Sequence, residues 1–225
     1  MIPKNIHLVF LSKNEPFPEL FTNCMKLIKE YHPSWNIYLY DKDDADRIMK
    51  EHLPDFLPAY NSLKYDVQRA DFLRLALVYI YGGFYMDLDM FCLKSLDELL
   101  KYQVVLGEEK TICIEEQKSL NLQHRLRIAN YMFGGIAYHE FWLSTMKLLA
   151  SRANIPIESQ QDIVDKTGPG LLTDLYHEMV NTHPEIMLLR NTTRRCMQPY
   201  HNDISCHFGE YAAHLHSGTW RGSIK

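Results

Sequence analysis

Residues 66–90, DVQRADFLRLALVYIYGGFYMDLDM, constrain the fold more than any other stretch of the chain. Over 67–81, with Tyr79 and Tyr81 set aside as amphipathic, the only polar side chains are Gln68, Arg69, Asp71 and Arg74. A helix apolar on nearly every side belongs inside a core. Gly82 supplies the stop that a helix C-terminus favours, and the chain turns at once into the apolar run Phe84-Tyr85-Met86, a short buried strand. That strand ends in Asp87 and Asp89. Alternation along a strand sends both carboxylates to one side and Leu88 into the core.

Two carboxylates side by side repel unless a cation joins them. A hard divalent cation that keeps open positions for phosphate oxygens resolves such a pair, so the residues point to a metal-bound diphosphate. The spacing alone is not specific, since Asp41-Lys42-Asp43 and Asp44-Ala45-Asp46 share it. Those pairs sit among Lys42, Arg47 and Lys50 in a polar segment that reads as a turn and a helix start, where acidic residues favour the helix dipole. Asp87 and Asp89 differ by closing an apolar strand. On the preceding helix Gln68, Asp71 and Arg74 lie three apart and form one slanting polar line. Charges on a buried helix tend to serve a site or a network.

The run Arg69-Ala70-Asp71-x-x-Arg74, then Gly82-Gly83-Phe84-Tyr85-x-Asp87-x-Asp89, resembles the core signature of glycosyltransferase family 32, the DXD sugar transferases. It is also similar to the catalytic domains of the clostridial glucosylating toxins. Residues 2–10, IPKNIHLVF, resemble that family's first strand, with Val9 and Phe10 at the nucleotide; Phe10 stands where a tryptophan is usual and Ser12 where a glycine is. Thr167-Gly168-Pro169-Gly170 resembles the family's Thr-Gly-Pro turn, and Asn130 matches an asparagine that contacts the donor sugar. Residues 214–220, HLHSGTW, resemble the closing segment that folds over metal and diphosphate.

The resemblance implies a GT-A glycosyltransferase over residues 1–225, read as a single domain, with a C-terminal lid at 207–225; residues 108–127, charged and aperiodic, read as a variable loop. It implies Asp87, Asp89 and His214 as metal ligands, with His216 as the ligand if the register shifts by two. Imidazole suits Mn²⁺ better than Mg²⁺, which sets the expected cofactor. Asp71, Arg74, Tyr85, Asn130 and Gly168 are expected at the sugar. Val9, Phe10, Asp87, Ser217 and Trp220 are expected at the nucleotide, and Asp71, Arg74, Asp87 and Asp89 as the catalytic set. The expected reaction is metal-dependent transfer, with retention, of a hexose or N-acetylhexosamine from a nucleotide-diphosphate sugar, a UDP-sugar favoured, to a glycan or other hydroxyl acceptor.

Composition bounds the remaining classes. With 225 residues and 46% hydrophobic content, one well-buried domain is expected. Lys plus Arg number 24 against 28 Asp plus Glu, a charge of -4 that gives no electrostatic reason for nucleic acid as partner. The basic run 190–195 reads as a solvated loop. Five scattered cysteines without metal-ligand spacing read as reduced thiols. The opening Met-Ile-Pro-Lys lacks a signal-peptide core and no run reaches spanning length, so a cytoplasmic domain without a transmembrane segment is expected. His201 and His207 read as ordinary surface or core residues.

Strand-helix-strand order argues for a mostly parallel, Rossmann-like twisted sheet flanked by helices, with ligands beyond the strand C-termini. Strands are expected at 6–11, 35–40, 103–107 and 128–133. Helices are expected at 18–31, from an Asp43 cap to His52, at 93–102, 138–152 and 170–181. Two alternatives carry part of the same pattern. A haloacid-dehalogenase-type phosphohydrolase also places Asp-x-Asp at a strand end, but needs a second acidic cluster and a lysine. The other is a sugar-nucleotide-binding module without turnover.

Overall fold

The computed structural model describes residues 1–12, 15–119, 122–191, 197–198, 203–204 and 206–218. In chain order the elements are β1 (Asn5–Val9), α1 (Glu19–Tyr31), β2 (Asn36–Tyr40), α2 (Lys42–His52), α3 (Leu57–Ser62), α4 (Asp66–Tyr81), β3 (Gly83–Met86), β4 (Met90–Cys92) and β5 (Val104–Thr111). Then come α5 (Ile114–Ser119), β6 (Leu126–Ile128), β7 (Met132–Gly135), α6 (Glu140–Arg152), α7 (Gln160–Lys166), α8 (Pro169–Met179) and β8 (Ile186–Leu189). The short pair β9 (Met197–Gln198) and β10 (Asp203–Ile204) precedes β11 (Cys206–Phe208) and β12 (Ala212–His214). The main sheet has the order β2-β1-β3-β7-β5-β6, with β8 beside β5. β2, β1 and β3 are parallel, as are β5 and β8, while β7 runs antiparallel to both β3 and β5. This is the mixed, mostly parallel α/β architecture expected.

Strand alternation divides the core into two layers. Tyr85, Val104 and Leu106 face one layer with Phe72, Trp142 and Leu171 of α4, α6 and α8. Ile6, Leu8, Phe84, Met86 and Val105 face the other, under Phe21 and Ile28 of α1 and Cys206, Phe208 and Ala212 of the C-terminal hairpin. α4 is buried along most of its length, as its composition requires.

The join between α4 and β3 is fixed by two glycines. Gly82 has φ +62° and Gly83 φ +106°, values that L side chains rarely adopt. A Cβ on Gly83 would lie 2.5 Å from the Asn5 carbonyl oxygen. From β1, His7 Nε2 donates to the Gly82 carbonyl at 2.8 Å, so its Nδ1, 3.0 Å from the Tyr40 hydroxyl, is the acceptor. The glycine pair therefore lets β3 lie directly against β1.

Several local expectations change. The cap of α2 is Asp41, paired reciprocally with Asp44, because a cap side chain bonds the amide three residues on. Residues 93–102 form only a 3₁₀ turn at Asp97–Leu99; the Leu93 and Lys94 amides donate instead to the distant Tyr211 carbonyl. The 108–127 stretch is largely ordered, carrying the end of β5, then α5 and the start of β6. Residues 128–133 are divided between β6 and β7, with Asn130 in the gap. Cys206 is disulfide-bonded, against the expectation of reduced thiols, while Cys24, Cys92 and Cys113 are free. Among the described residues no helix is long and apolar enough to cross a membrane. Trp220, His201 and residues 192–195 of the basic run lie outside the described residues.

Candidate active site

β1 and β3 are parallel neighbours, so the residues that follow them, Phe10 and Asp87, emerge at the same edge of the sheet. A cleft of about 930 Å³ opens there, and Val9, Phe10, Ser12, Asp71, Arg74, Tyr85, Asp87, Asp89, Asn130, Gly168, His214, His216 and Ser217 all line it. The expected site residues that lie among the described ones thus share one cavity.

Asp87 and Asp89 stand in the turn after β3 rather than on the strand. The Asp87 amide donates to the Tyr131 carbonyl at 2.8 Å, and the Met90 amide returns to the Asp87 carbonyl at 3.2 Å. Leu88 is buried between them. The turn brings both carboxylates together as alternation would, by a different backbone route. His214 arrives through β12, which pairs antiparallel with β4 and sets His214 opposite Met90.

Each carboxylate has one oxygen tied to the protein. Asp87 Oδ1 accepts from the Tyr85 hydroxyl and lies 3.4 Å from Arg74 Nη1. Asp89 Oδ2 accepts from the Ser217 amide at 2.7 Å. The other oxygens face His214 Nε2, Asp89 Oδ1 at 3.1 Å and Asp87 Oδ2 at 3.7 Å. Ligand atoms of Asp87, Asp89 and His214 all lie within 4.8 Å of one another. Two carboxylates and an imidazole, oriented by second bonds to their neighbours, fit a divalent ion of the Mn²⁺ or Mg²⁺ kind. The His214 ring stacks on Tyr131 at 4.6 Å, and its buried Nδ1 has no hydrogen-bond partner among the described residues. His216 is not in the cluster; its ring lies 4.1 Å from that of His214.

Electrostatics separates the two aspartates. Burial opposes charge on both. For Asp89 the nearby His214 and the Ser217 amide outweigh burial and hold its pKa below the usual carboxylate range. For Asp87 burial prevails over Arg74 and His214, and its pKa is raised.

Asp71 and Arg74 form the second half of the site. Asp71 Oδ2 accepts from Thr167 Oγ1 at 2.7 Å, and Oδ1 accepts from Asn130 Nδ2 at 3.2 Å and pairs with Arg74 Nη2 at 3.2 Å. Burial lifts the Asp71 pKa to about 6, against the pull of Arg74 and Thr167. Arg74 Nη1 donates to the Asn130 carbonyl at 2.6 Å, and its guanidinium lies over the Tyr85 ring at 4.6 Å. Gly168 closes this side: a Cβ there would come within 3.1 Å of the Val164 carbonyl and 3.4 Å of Asn130 Nδ2. Phe10 lies edge-on to Phe17 and Phe21 at the far end.

Glu109 and Tyr131 also line the cleft, and neither is singled out by the sequence reading. Glu109 had a signal: the apolar run Val104-Val105-Leu106 ends in carboxylates, the pattern that marked Asp87.

A family profile described as "Glycosyltransferase sugar-binding region containing DXD motif" matches residues 18–106. The chain is 28% identical over 199 residues to a mannosyl phosphorylinositol ceramide synthase of Saccharomyces cerevisiae, covering 88% of this chain and 47% of that one. It is 36% identical over 101 residues to an inositol phosphoceramide mannosyltransferase of Schizosaccharomyces pombe, 45% of this chain and 28% of that one. Similarity to an uncharacterized glycosyltransferase of Acanthamoeba polyphaga mimivirus is 26% over 238 residues, 100% of this chain and 86% of that one. The chain thus spans about half or less of the length of these yeast relatives. Among solved structures, the PaToxG glycosyltransferase superposes with a TM-score of 0.59 at 14% identity over 80% of this chain and 70% of that one. The ligand-free glycosyltransferase domain of the YGT toxin gives 0.52 at 9% identity, over 83% and 80%. The phosphohydrolase alternative falls with these matches. Sequence and fold agree: residues 18–106 match the DXD-containing glycosyltransferase sugar-binding region, and the fold is that of GT-A glycosyltransferase domains.

Proposed function

We propose that the chain catalyses metal-dependent transfer of a hexosyl group, mannosyl first among the candidates, from a nucleoside-diphosphate sugar to a hydroxyl acceptor with retention of configuration. The observation that carries this reading is the convergence of Asp87, Asp89 and His214 within 4.8 Å at the sheet edge. A divalent ion held there, Mn²⁺ ahead of Mg²⁺ because one donor is an imidazole, supplies positive charge against the negative charge growing on the departing diphosphate. The other residues bind and orient. Phe10 offers an aromatic face to the base, with Val9 beside it. Ser217 holds Asp89 in place from the nucleotide side, and Trp220 remains a candidate for the diphosphate. Asp71, Arg74 and Asn130, already bonded to one another, present acceptors and donors to sugar hydroxyls, with Tyr85 and Gly168 shaping the pocket.

Both oxygens of Asp71 are engaged by Thr167, Asn130 and Arg74, which leaves this carboxylate poorly suited to act as a nucleophile. A same-face displacement is therefore the simplest route, and an inverted anomeric product by NMR would overturn it. The mannosyl names of the yeast relatives move a nucleoside-diphosphate mannose ahead of the UDP-sugars that the toxin likeness favoured.

The test is a thermal-shift and turnover screen of GDP-mannose, UDP-glucose, UDP-galactose and UDP-N-acetylglucosamine with Mn²⁺, Mg²⁺ or EDTA, on the native chain and Asp89→Asn. One donor should stabilise the native chain only with metal, by about 2.7 kcal/mol at a hundredfold excess over its Kd, and Asp89→Asn should lose the effect. Stabilisation equal in EDTA would remove the metal from the mechanism.

A further inference from the structure

The segment that follows β12 holds a strained residue beside the metal-side cluster. His216 has φ +52°, a left-handed conformation that glycine adopts freely and a residue with a side chain adopts only at a cost. Such strain persists where the surroundings enforce it, and it gathers at active sites and ligand clamps. Here Asp89 enforces it. The Leu215 amide donates to the Asp89 carbonyl at 3.0 Å and the Ser217 amide to Asp89 Oδ2 at 2.7 Å. His216 is therefore pinned between two bonds to one aspartate of the cluster.

Ring positions show where its imidazole stands. The ring centre is 4.1 Å from that of His214 and 6.5 Å from that of Tyr131, while Tyr131 and His214 stack at 4.6 Å. These separations make nearly a right angle at His214, so Tyr131 covers a face of that ring and His216 stands at its rim. His216 lines the cleft, yet Asp87, Asp89 and His214 make up the candidate ligand set without it. Three protein donors leave a Mn²⁺ or Mg²⁺ ion open positions for phosphate oxygens. A side chain against one of those donors, on the cleft side, borders the place where such oxygens enter.

We propose that His216 binds the diphosphate: an N–H of its ring donates to a diphosphate oxygen of the nucleotide sugar, next to the ion. The role presupposes the nucleotide-sugar donor proposed above. A hydrogen bond to an anion strengthens as the anion gains charge, so this one favours departure of the diphosphate without any transfer of a proton. The imidazole is retained at a glycine-like position because the ligand, not the fold, requires it.

Glycine separates those two explanations, since His216→Gly removes the ring and relieves the backbone together. Mn²⁺ is titrated calorimetrically into the native chain, His216→Gly, His216→Asn and His216→Gln; GDP and UDP are then titrated into each Mn²⁺-loaded chain, and Tm is measured. In His216→Gly, affinity for whichever nucleotide the native chain binds more tightly should fall about 10-fold or more, as expected for losing a hydrogen bond to a charged group. Mn²⁺ affinity should stay within about threefold of native and Tm should not fall. Asparagine and glutamine carry an N–H at roughly the reach of Nδ1 and Nε2, and one of them should recover part of the lost affinity. Native nucleotide affinity in His216→Gly overturns the proposal. So does a Mn²⁺ affinity that falls in step with nucleotide affinity, since His216 would then act through the ion, and so does recovery by neither amide. A native chain that binds neither GDP nor UDP with Mn²⁺ overturns the donor reading itself, and this inference with it.

Discussion

Tyr85 shows how a single side chain links the two halves of the site. Its hydroxyl donates to Asp87 Oδ1, and the Arg74 guanidinium covers its ring, so one residue touches both the metal-side and the sugar-side groups. Tyr85→Phe keeps the ring and removes the donor. Partners that orient a ligand are worth roughly 10- to 100-fold in metal affinity, and a drop of that size in Mn²⁺ affinity is expected by calorimetric titration. Stability should change by no more than about 1 kcal/mol, because Arg74 still faces the freed oxygen. Native affinity in the variant would mean that Arg74 alone sets Asp87. The residues of this network were legible for different reasons. Asp71 and Arg74 stood out because charge on an otherwise apolar helix is rare, and Asp87 and Asp89 because they close an apolar strand. Glu109 carries a weaker form of the same signal, because Glu108, Lys110 and the charged residues after it blur which side chain meets the cleft, and the skipped residue in the β5–β6 register is a two-strand property that one strand's sequence does not spell out.

At the level of elements, the join of α4 to β3 carries the fold into the site, and His7 is its lock. The side chain is fully buried with both nitrogens engaged, and burial, partly opposed by the Gly82 carbonyl, lowers its pKa to about 4. An unfolded chain takes up this proton near 6.5, so between those values the unfolded state binds more protons and stability falls as pH falls. Full loss across the window amounts to roughly 3 kcal/mol. Denaturant unfolding at pH 7.5, 5.5 and 4.5 should show this slope in the native chain and a flatter one in His7→Gln, whose amide can still donate to Gly82. Equal slopes would assign the acid loss to another group. α4 was readable because its own residues dictate burial. The 93–102 stretch reads as a helix because Leu93, Leu96 and Leu100 repeat at helical spacing, while the amides of Leu93 and Lys94 are claimed by the Tyr211 carbonyl, more than a hundred residues later. The order beyond Glu108 is likewise set from a distance, since its buried carboxylate is met by Arg190 and by the Asn191 amide.

Over the whole molecule, the metal-side cluster depends on the last part of the chain to fold onto the first. β4, β11 and β12 form a separate small sheet, and Phe208 ties it to the main one. The ring is fully buried and lies against Gly107 of β5, where an added Cβ would meet Phe208 Cδ2 at 2.5 Å. The strand pair that carries His214 is therefore anchored in a packed core. Phe208→Ala should cost about 3–5 kcal/mol, the usual range for removing a buried aromatic ring. It should also weaken Mn²⁺ binding to the folded protein, although all three metal-side residues remain, because β12 would lose the packing that holds His214 beside Asp89. Thermal unfolding with and without Mn²⁺ separates the two effects: a lowered Tm with an undiminished Mn²⁺ shift would mean that pairing with β4 alone positions His214. A lowered Tm with a reduced shift would show that core packing between the two sheets sets the geometry of the site.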